Sequence, residues 1–185
     1  MFEKLIVKVA SSLKKHQIPY MIIGGQAVLL YGTPRLTRDI DITLGISTDK
    51  LSLAGKAIRD AGLKSIPENI EDFVQKTFVL PAKDEKTGLR VDFIFSYTPY
   101  ERHAIERASD VTISGVKVKF ATAEDIIIHK IFSGRSHDIE DVRAILIKNP
   151  DCDISYVKKW LKEFDKISEG KKFRETFKNI QRQIK

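Results

Sequence analysis

Apolar residues at Phe2, Leu5, Ile6, Val9 and Leu13 recur at helical spacing, and Pro19 ends that stretch. Tyr20-Met21-Ile22-Ile23 is an unbroken apolar run of strand length that stops at Gly24-Gly25. Gln26 to Tyr31 reads as a short helix closed by Gly32 and Pro34. Ile40, Ile42 and Leu44 then alternate with Asp39, Asp41 and Thr43, a period-two strand that ends at Gly45. Ser47 or Thr48 is placed to cap a helix running through Leu53, Ala57 and Ile58 to Gly62.

Further on, Phe78-Val79-Leu80 and Leu89 to Phe95 flank a polar turn, Lys83 to Gly88, and together predict an antiparallel hairpin. Thr98-Pro99 starts a helix that runs to about Ala108, with proline in the first turn. Val111 to Ile113 and Val116 to Phe120 form a second hairpin around Ser114-Gly115. Thr122-x-x-Asp125 resembles a capping box and opens a helix to Ile131. Helical segments follow at about Asp138 to Ile147 and Ile154 to Ile167, then a basic tail from Lys171. The order predicts an α/β (α+β) fold: a mixed β-sheet flanked by helices, with a C-terminal helical extension. The domain reading is a core over residues 1–120 and a helical region over 121–185 packed on it, with Asn149-Pro150 marking the start of the last helices.

At 185 residues the chain can bury a real core, and 42% hydrophobic content fits a soluble protein. No apolar run reaches the length of a membrane-spanning helix, and the lysine-studded N-terminus does not read as a signal peptide. A single cysteine, Cys152, excludes an internal disulfide framework and cysteine-rich zinc sites, so the expected compartment is the cytoplasm. The net charge of +7 favours polyanionic partners, nucleoside triphosphates and nucleic acids among them.

The chemistry concentrates between Ile22 and Thr43. Asp39 and Asp41 are two apart on a strand, so both carboxylates point to one side while Ile40 and Ile42 point to the other. Paired carboxylates repel unless a cation sits between them, and Mg2+ suits such oxygen ligands. Gly24-Gly25 ends a strand and opens a helix, where bare backbone and helix N–H groups suit a phosphate. Either half alone has a plainer reading, as two solvent-facing carboxylates on an edge strand or as an ordinary turn. In combination, on a strand–turn–helix–strand frame, they are far more specific.

That combination resembles the signature of the nucleotidyltransferase superfamily: Ile23-Gly24-Gly25 followed by Asp39-Ile40-Asp41-Ile42. The superfamily's third carboxylate lies on a later strand, and Arg90-Val91-Asp92-Phe93-Ile94 matches that pattern. The likeness spans roughly residues 19 to 95. It implies a nucleotidyltransferase fold that moves a nucleoside monophosphate from a triphosphate such as ATP to an acceptor. It also implies two Mg2+ or Mn2+ ions about 3.5–4 Å apart. Asp39 and Asp41 would ligate metal, and Asp92 would ligate the catalytic ion and help deprotonate the acceptor hydroxyl. The plainer reading of Asp92 is a surface carboxylate on a hairpin strand.

A second segment, Lys130 to Asp141, resembles the lysine, arginine and paired-aspartate stretch of small standalone nucleotidyltransferases related to AbiE-type toxins. The likeness implies that Lys130 meets the triphosphate and that an aspartate orients the site, with Arg135 and Asp138 as further nucleotide-binding residues. The alternative is an N-cap at Asp138 salt-bridged to Arg135. Arg35 and Arg38 flank the aspartate strand as candidate phosphate donors, or as balancing charges. Tyr31, Tyr97 and Tyr100 are candidates to stack a base, whereas His129 and His137 make no zinc site. Acceptors consistent with the resemblance are a protein side chain, a tRNA end or a small hydroxylated molecule. A toxin-type member would also have a cognate antitoxin as partner. Two other readings compete: a non-catalytic nucleotide-binding module, or a nucleic-acid-binding protein using Lys158, Lys159, Lys162, Lys171, Lys172 and Arg174.

Overall fold

Alternation along two strands sets the centre of the molecule. In a computed structural model, which describes residues 1–34, 36–96 and 98–184, β2 (Asp39–Leu44) and β5 (Arg90–Phe95) pair in parallel. Each sends one row of side chains into the core: Ile40 and Ile42 from β2, and Val91, Phe93 and Phe95 from β5, are essentially inaccessible. β1 (Tyr20–Ile23) lies antiparallel to β2 and is buried on both faces, which explains its unbroken apolar run.

The remaining strands are β3 (Lys64–Ser65), β4 (Val79–Lys83), β6 (Ser109–Ile113) and β7 (Val116–Phe120). The sheet order is β3-β4-β5-β2-β1-β7-β6, mixed in direction, as the element order predicts. The β4–β5 and β6–β7 hairpins stand where the polar turns place them.

The helices are α1 (Phe2–Lys15), α2 (Gly24–Tyr31), α3 (Leu51–Asp60), α4 (Ile70–Thr77), α5 (Pro99–Arg107), α6 (Ala123–Ser133), α7 (Ser136–Lys148), α8 (Ile154–Ile167) and α9 (Phe173–Gln183). α5 begins with a complete capping box, in which Thr98 accepts from the Glu101 N–H and Glu101 accepts from the Thr98 N–H. α6 is capped by Thr122, and the Asp125 side chain then accepts hydrogen bonds from Thr122 and from the Tyr156 hydroxyl.

β3 and α4 are additions to the elements read from the sequence, and α9 lies in the basic tail from Lys171. α4 is announced by an Asn69 cap, and Phe78, expected in a strand, instead closes it at φ +58°. None of the helices among the described residues is long and apolar enough to cross a membrane.

The chain forms two compact units. One comprises Met1–Gln26 and Leu36–Ala121 and contains the whole sheet; the other comprises Ala27–Arg35 and Thr122–Lys185 and is helical. In the helical unit, Ile126, Ile127 and Ile128 are buried over more than half of the circumference of α6. Lys148 and Asn149 donate to the carbonyls of Gly32 and Tyr31 at 2.8 Å, which satisfies the C-terminal end of α2.

Candidate active site

The register of β2 against β5 places Asp41 opposite Asp92 and Asp39 opposite Arg90. Since Ile40 and Val91 face the core, all three aspartates share the other face. One carboxylate oxygen from each of Asp39, Asp41 and Asp92 lies within 4.8 Å of the others, and all three residues are half-buried. Three acids from two strands thus converge on one point. Among the described residues they are the one group of three His, Cys, Asp or Glu side chains so arranged. Hard, anionic oxygens at this separation fit a divalent cation such as Mg2+ or Mn2+, and soft ligands are absent from the group.

Gly24 is fixed by the same register. Ile23 pairs with Asp41, so the residue after it turns directly over the Asp41 side chain. Gly24 has φ +64°, and a Cβ there would lie 2.8 Å from Asp41 Cγ and closer still to Oδ2. Glycine at this position therefore makes room for the carboxylate, a tighter demand than the open approach for phosphate expected from the sequence. Gly25 follows, buried, in the first turn of α2. The Gln26 side-chain amide donates to Thr37 Oγ1 at 2.6 Å, tying that turn to the segment entering β2. Gly24→Ala is expected to cost at least about 1–2 kcal/mol from the left-handed backbone alone and to displace Asp41. Chemical denaturation and a metal titration of the variant would read both effects.

Arg90 is a site residue that the motif reading left without a role. Its Nε donates to Asp92 Oδ1 at 2.7 Å, and its side chain remains half-exposed. The hydrogen bond to Asp92 holds the guanidinium charged more firmly than usual, and the charges of Asp92, Asp39 and Asp41 add to it. One cation thus offsets part of a threefold negative centre. The only signal in the sequence was the two-residue spacing from Arg90 to Asp92 on one strand face.

Arg38 is exposed immediately before Asp39, while Arg35 and Tyr97 lie outside the described residues. Tyr100 is 5% exposed within α5 and its ring is not available to a base. Burial, then the charges of Glu124 and Asp151, push the Cys152 thiol up to about 11.

The Lys130 segment forms its own cluster within the helical unit. Lys130 is 4% exposed, and its ammonium donates to Asp138 at 2.5 Å and sits 2.9 Å from Asp141. Arg135 donates to the other Asp138 oxygen at 2.7 Å, and His137 stands 3.5 Å away. Burial opposes ionisation of Asp138, yet the hydrogen bonds from Arg135, Lys130 and Ser133 outweigh it and hold the carboxyl well below the usual range. Arg135 is the residue before the first turn of α7, so Asp138 lies inside the helix and does not cap it.

The profile of a family described as nucleotidyltransferase of unknown function (DUF6036) matches residues 2–185. The chain belongs to that family. Solved structures agree on the fold of this nucleotidyltransferase. The antibiotic-resistance factor ANT(2'')-Ia in solution is 16% identical with a TM-score of 0.59, over 98% of this chain and 94% of that one. An antigenic nucleotidyltransferase-like protein from Paracoccidioides brasiliensis is 18% identical with a TM-score of 0.58, over 88% and 86%. The lincosamide antibiotic adenylyltransferase LnuA is 16% identical with a TM-score of 0.52, over 77% and 94%. No curated protein matches the nucleotidyltransferase in sequence.

Proposed function

We propose that this nucleotidyltransferase moves a nucleoside monophosphate from a nucleoside triphosphate to an acceptor hydroxyl, using Mg2+ or Mn2+ held by Asp39, Asp41 and Asp92. The observation that carries the reading is the convergence of three carboxylates within 4.8 Å beside a glycine turn that opens a helix. A bound divalent cation would neutralise the triphosphate and stabilise charge on the attacking and leaving oxygens. The chain's own groups supply the rest. Gly24, Gly25 and the first N–H groups of α2 favour a phosphate, and exposed Arg38 is a planar donor at the entrance of β2. Asp92 is the candidate to take the proton of the acceptor hydroxyl, with Arg90 holding its carboxylate in place.

Lys130, Arg135 and Asp138 are a different matter. For Lys130 to reach a phosphate it would have to leave two carboxylates in a buried site. The cluster supports a reading as an internal brace more directly than one as a triphosphate clamp.

The test is label transfer from each α-labelled triphosphate with Mg2+ or Mn2+, using total transfer RNA, an aminoglycoside and a cell protein extract as separate acceptors. Transfer that requires the metal and disappears in Asp39→Asn is the expected result. Triphosphate that neither binds nor reacts would overturn the proposal, and undiminished transfer by Asp39→Asn would overturn the metal assignment.

A further inference from the structure

Between Ile154 and Lys185 the sequence holds ten lysines and arginines against four acids, a local +6 in a chain of net +7. Nearly all of the chain's excess charge thus sits in its last 32 residues. The structure arranges part of it. Phe173, Phe177 and Ile180 form the buried face of α9, and Arg174, Lys178 and Arg182 lie exposed on another face. The three are four residues apart, so they form a row with steps of about 6 Å along the axis.

That row and Lys158 of α8 line a groove of about 550 Å³ together with Asn179 and Glu175. The one acid in the lining is engaged by Lys172 at 3.5 Å, and none of the four cations forms an ion pair among the described residues. Balanced surface helices usually spend such charges on neighbours at i,i+3 and i,i+4. Here the cations face an open groove instead.

An aromatic platform stands at one end of the row. The Phe132 ring, 49% exposed at the end of α6, stacks on Phe173 with centroids 5.3 Å apart and 22° between planes. Phe164 meets it edge-on at 5.5 Å, which fixes its orientation. Lys171 Nζ lies 5.9 Å from the centroids of both Phe132 and Phe173. Phe173 immediately precedes Arg174, so its stacking on Phe132 brings the exposed ring to the N-terminal end of α9, where the cationic row begins. A polyanion alone needs only the charges. An exposed, preoriented ring beside them adds a stacking partner for a planar base, a combination that suits single-stranded nucleic acid.

We propose that the α8–α9 groove binds single-stranded RNA, with phosphates on Arg174, Lys178, Arg182 and Lys158 and an unpaired base on Phe132. The groove shares no residue with the carboxylate centre, and the proposal goes beyond the transfer reaction. Its test therefore omits nucleotide and metal, so failure of either reading is distinguishable from failure of the other.

Fluorescein-labelled oligouridylate is titrated with the full chain in EDTA at several salt concentrations, beside a blunt RNA duplex of equal length. In R174Q/K178Q/R182Q, single-strand affinity should fall about tenfold or more at low salt, and the slope of log K against log salt should shallow by about 2. Phe132→Leu keeps the apolar packing but removes the ring, and should weaken the single strand several-fold while leaving the duplex unchanged. All four substituted positions are at least partly exposed, and unchanged circular dichroism checks the fold. Absence of RNA binding at low salt would overturn the proposal. So would equal affinity of the triple variant, or displacement of the RNA by polyglutamate as effectively as by unlabelled RNA, which would indicate an acidic protein partner.

Discussion

Asp41→Asn is expected to lower nucleotidyl transfer by about a thousandfold or more, equivalent to roughly 4 kcal/mol of lost transition-state stabilisation, without destabilising the fold. The activity loss follows from geometry. Asp41 faces Asp92 across the parallel register and lies under the Gly24 turn, so it belongs to both the acidic centre and the turn proposed to take the phosphate. The stability effect has the opposite sign. Three carboxylates within 4.8 Å repel when no cation screens them, and the Arg90 ion pair with Asp92 offsets part of that charge. Removing one carboxylate relieves that repulsion, so the unfolding midpoint in EDTA should hold or rise. Mg2+ should stabilise the wild type, by about 2.7 kcal/mol at a hundred times its Kd, and should leave Asp41→Asn nearly unmoved. Thermal melts with and without metal read this directly. A midpoint that falls in EDTA would show that Asp41 is a structural residue.

The largest loss of stability is expected from Lys130→Met. It leaves Asp138, which is inaccessible, and Asp141, which is 6% exposed, without their shared ammonium. Breaking a buried ion cluster on one side costs about 3–5 kcal/mol, with Arg135 retained as a partial partner. Adding Asp138→Asn and Asp141→Asn should recover part of the loss, because amides replace stranded charges. Urea denaturation distinguishes the possibilities. An unchanged midpoint with a raised KM for triphosphate would instead assign Lys130 to phosphate.

The same cluster sets the acid limb of stability. Asp138 has a depressed carboxyl in the folded state, so its contribution is fully present above the unfolded value of about 3.9. It drains away as pH falls below that toward the lower folded value. Asp138→Asn should flatten the stability profile on the acid side of about pH 4, and denaturation at stepped pH would show it.

The carboxylate centre was legible because two periodicities coincide. Asp39 and Asp41 interrupt an apolar strand at alternate positions, and Gly24-Gly25 terminates the preceding one. Strand alternation fixes the face of a side chain without knowledge of the partner strand. Asp92 followed by the same rule, since Val91, Phe93 and Phe95 take the core face. The role of Gly24 was half legible: the glycine was visible, but its steric neighbour arrives fifteen residues or more later in the chain and depends on the Ile23–Asp41 register.

Partnerships across helices were opaque. Lys130 read as a triphosphate contact because the pairing with its two acids is made between α6 and α7 and depends on how those helices pack. α4 escaped because eight residues carry only two turns of pattern. α9 has a readable apolar stripe at Phe173, Phe177 and Ile180, but the surrounding lysines and arginines made it look like a solvated tail.

The contact between Gly24 and Asp41 also predicts how such proteins decay. While the aspartate is present, position 24 is closed to every side chain by contact as well as by backbone conformation. Once a descendant loses the aspartate to a smaller residue, the clash with the carboxylate disappears, and a 3.1 Å contact with the Cβ of residue 41 and the φ of +64° remain. Asparagine tolerates that conformation better than most residues. Asparagine at 24 paired with alanine or serine at 41 would therefore be a fossil record of abandoned chemistry. It would separate inactive descendants from working ones before any assay is run.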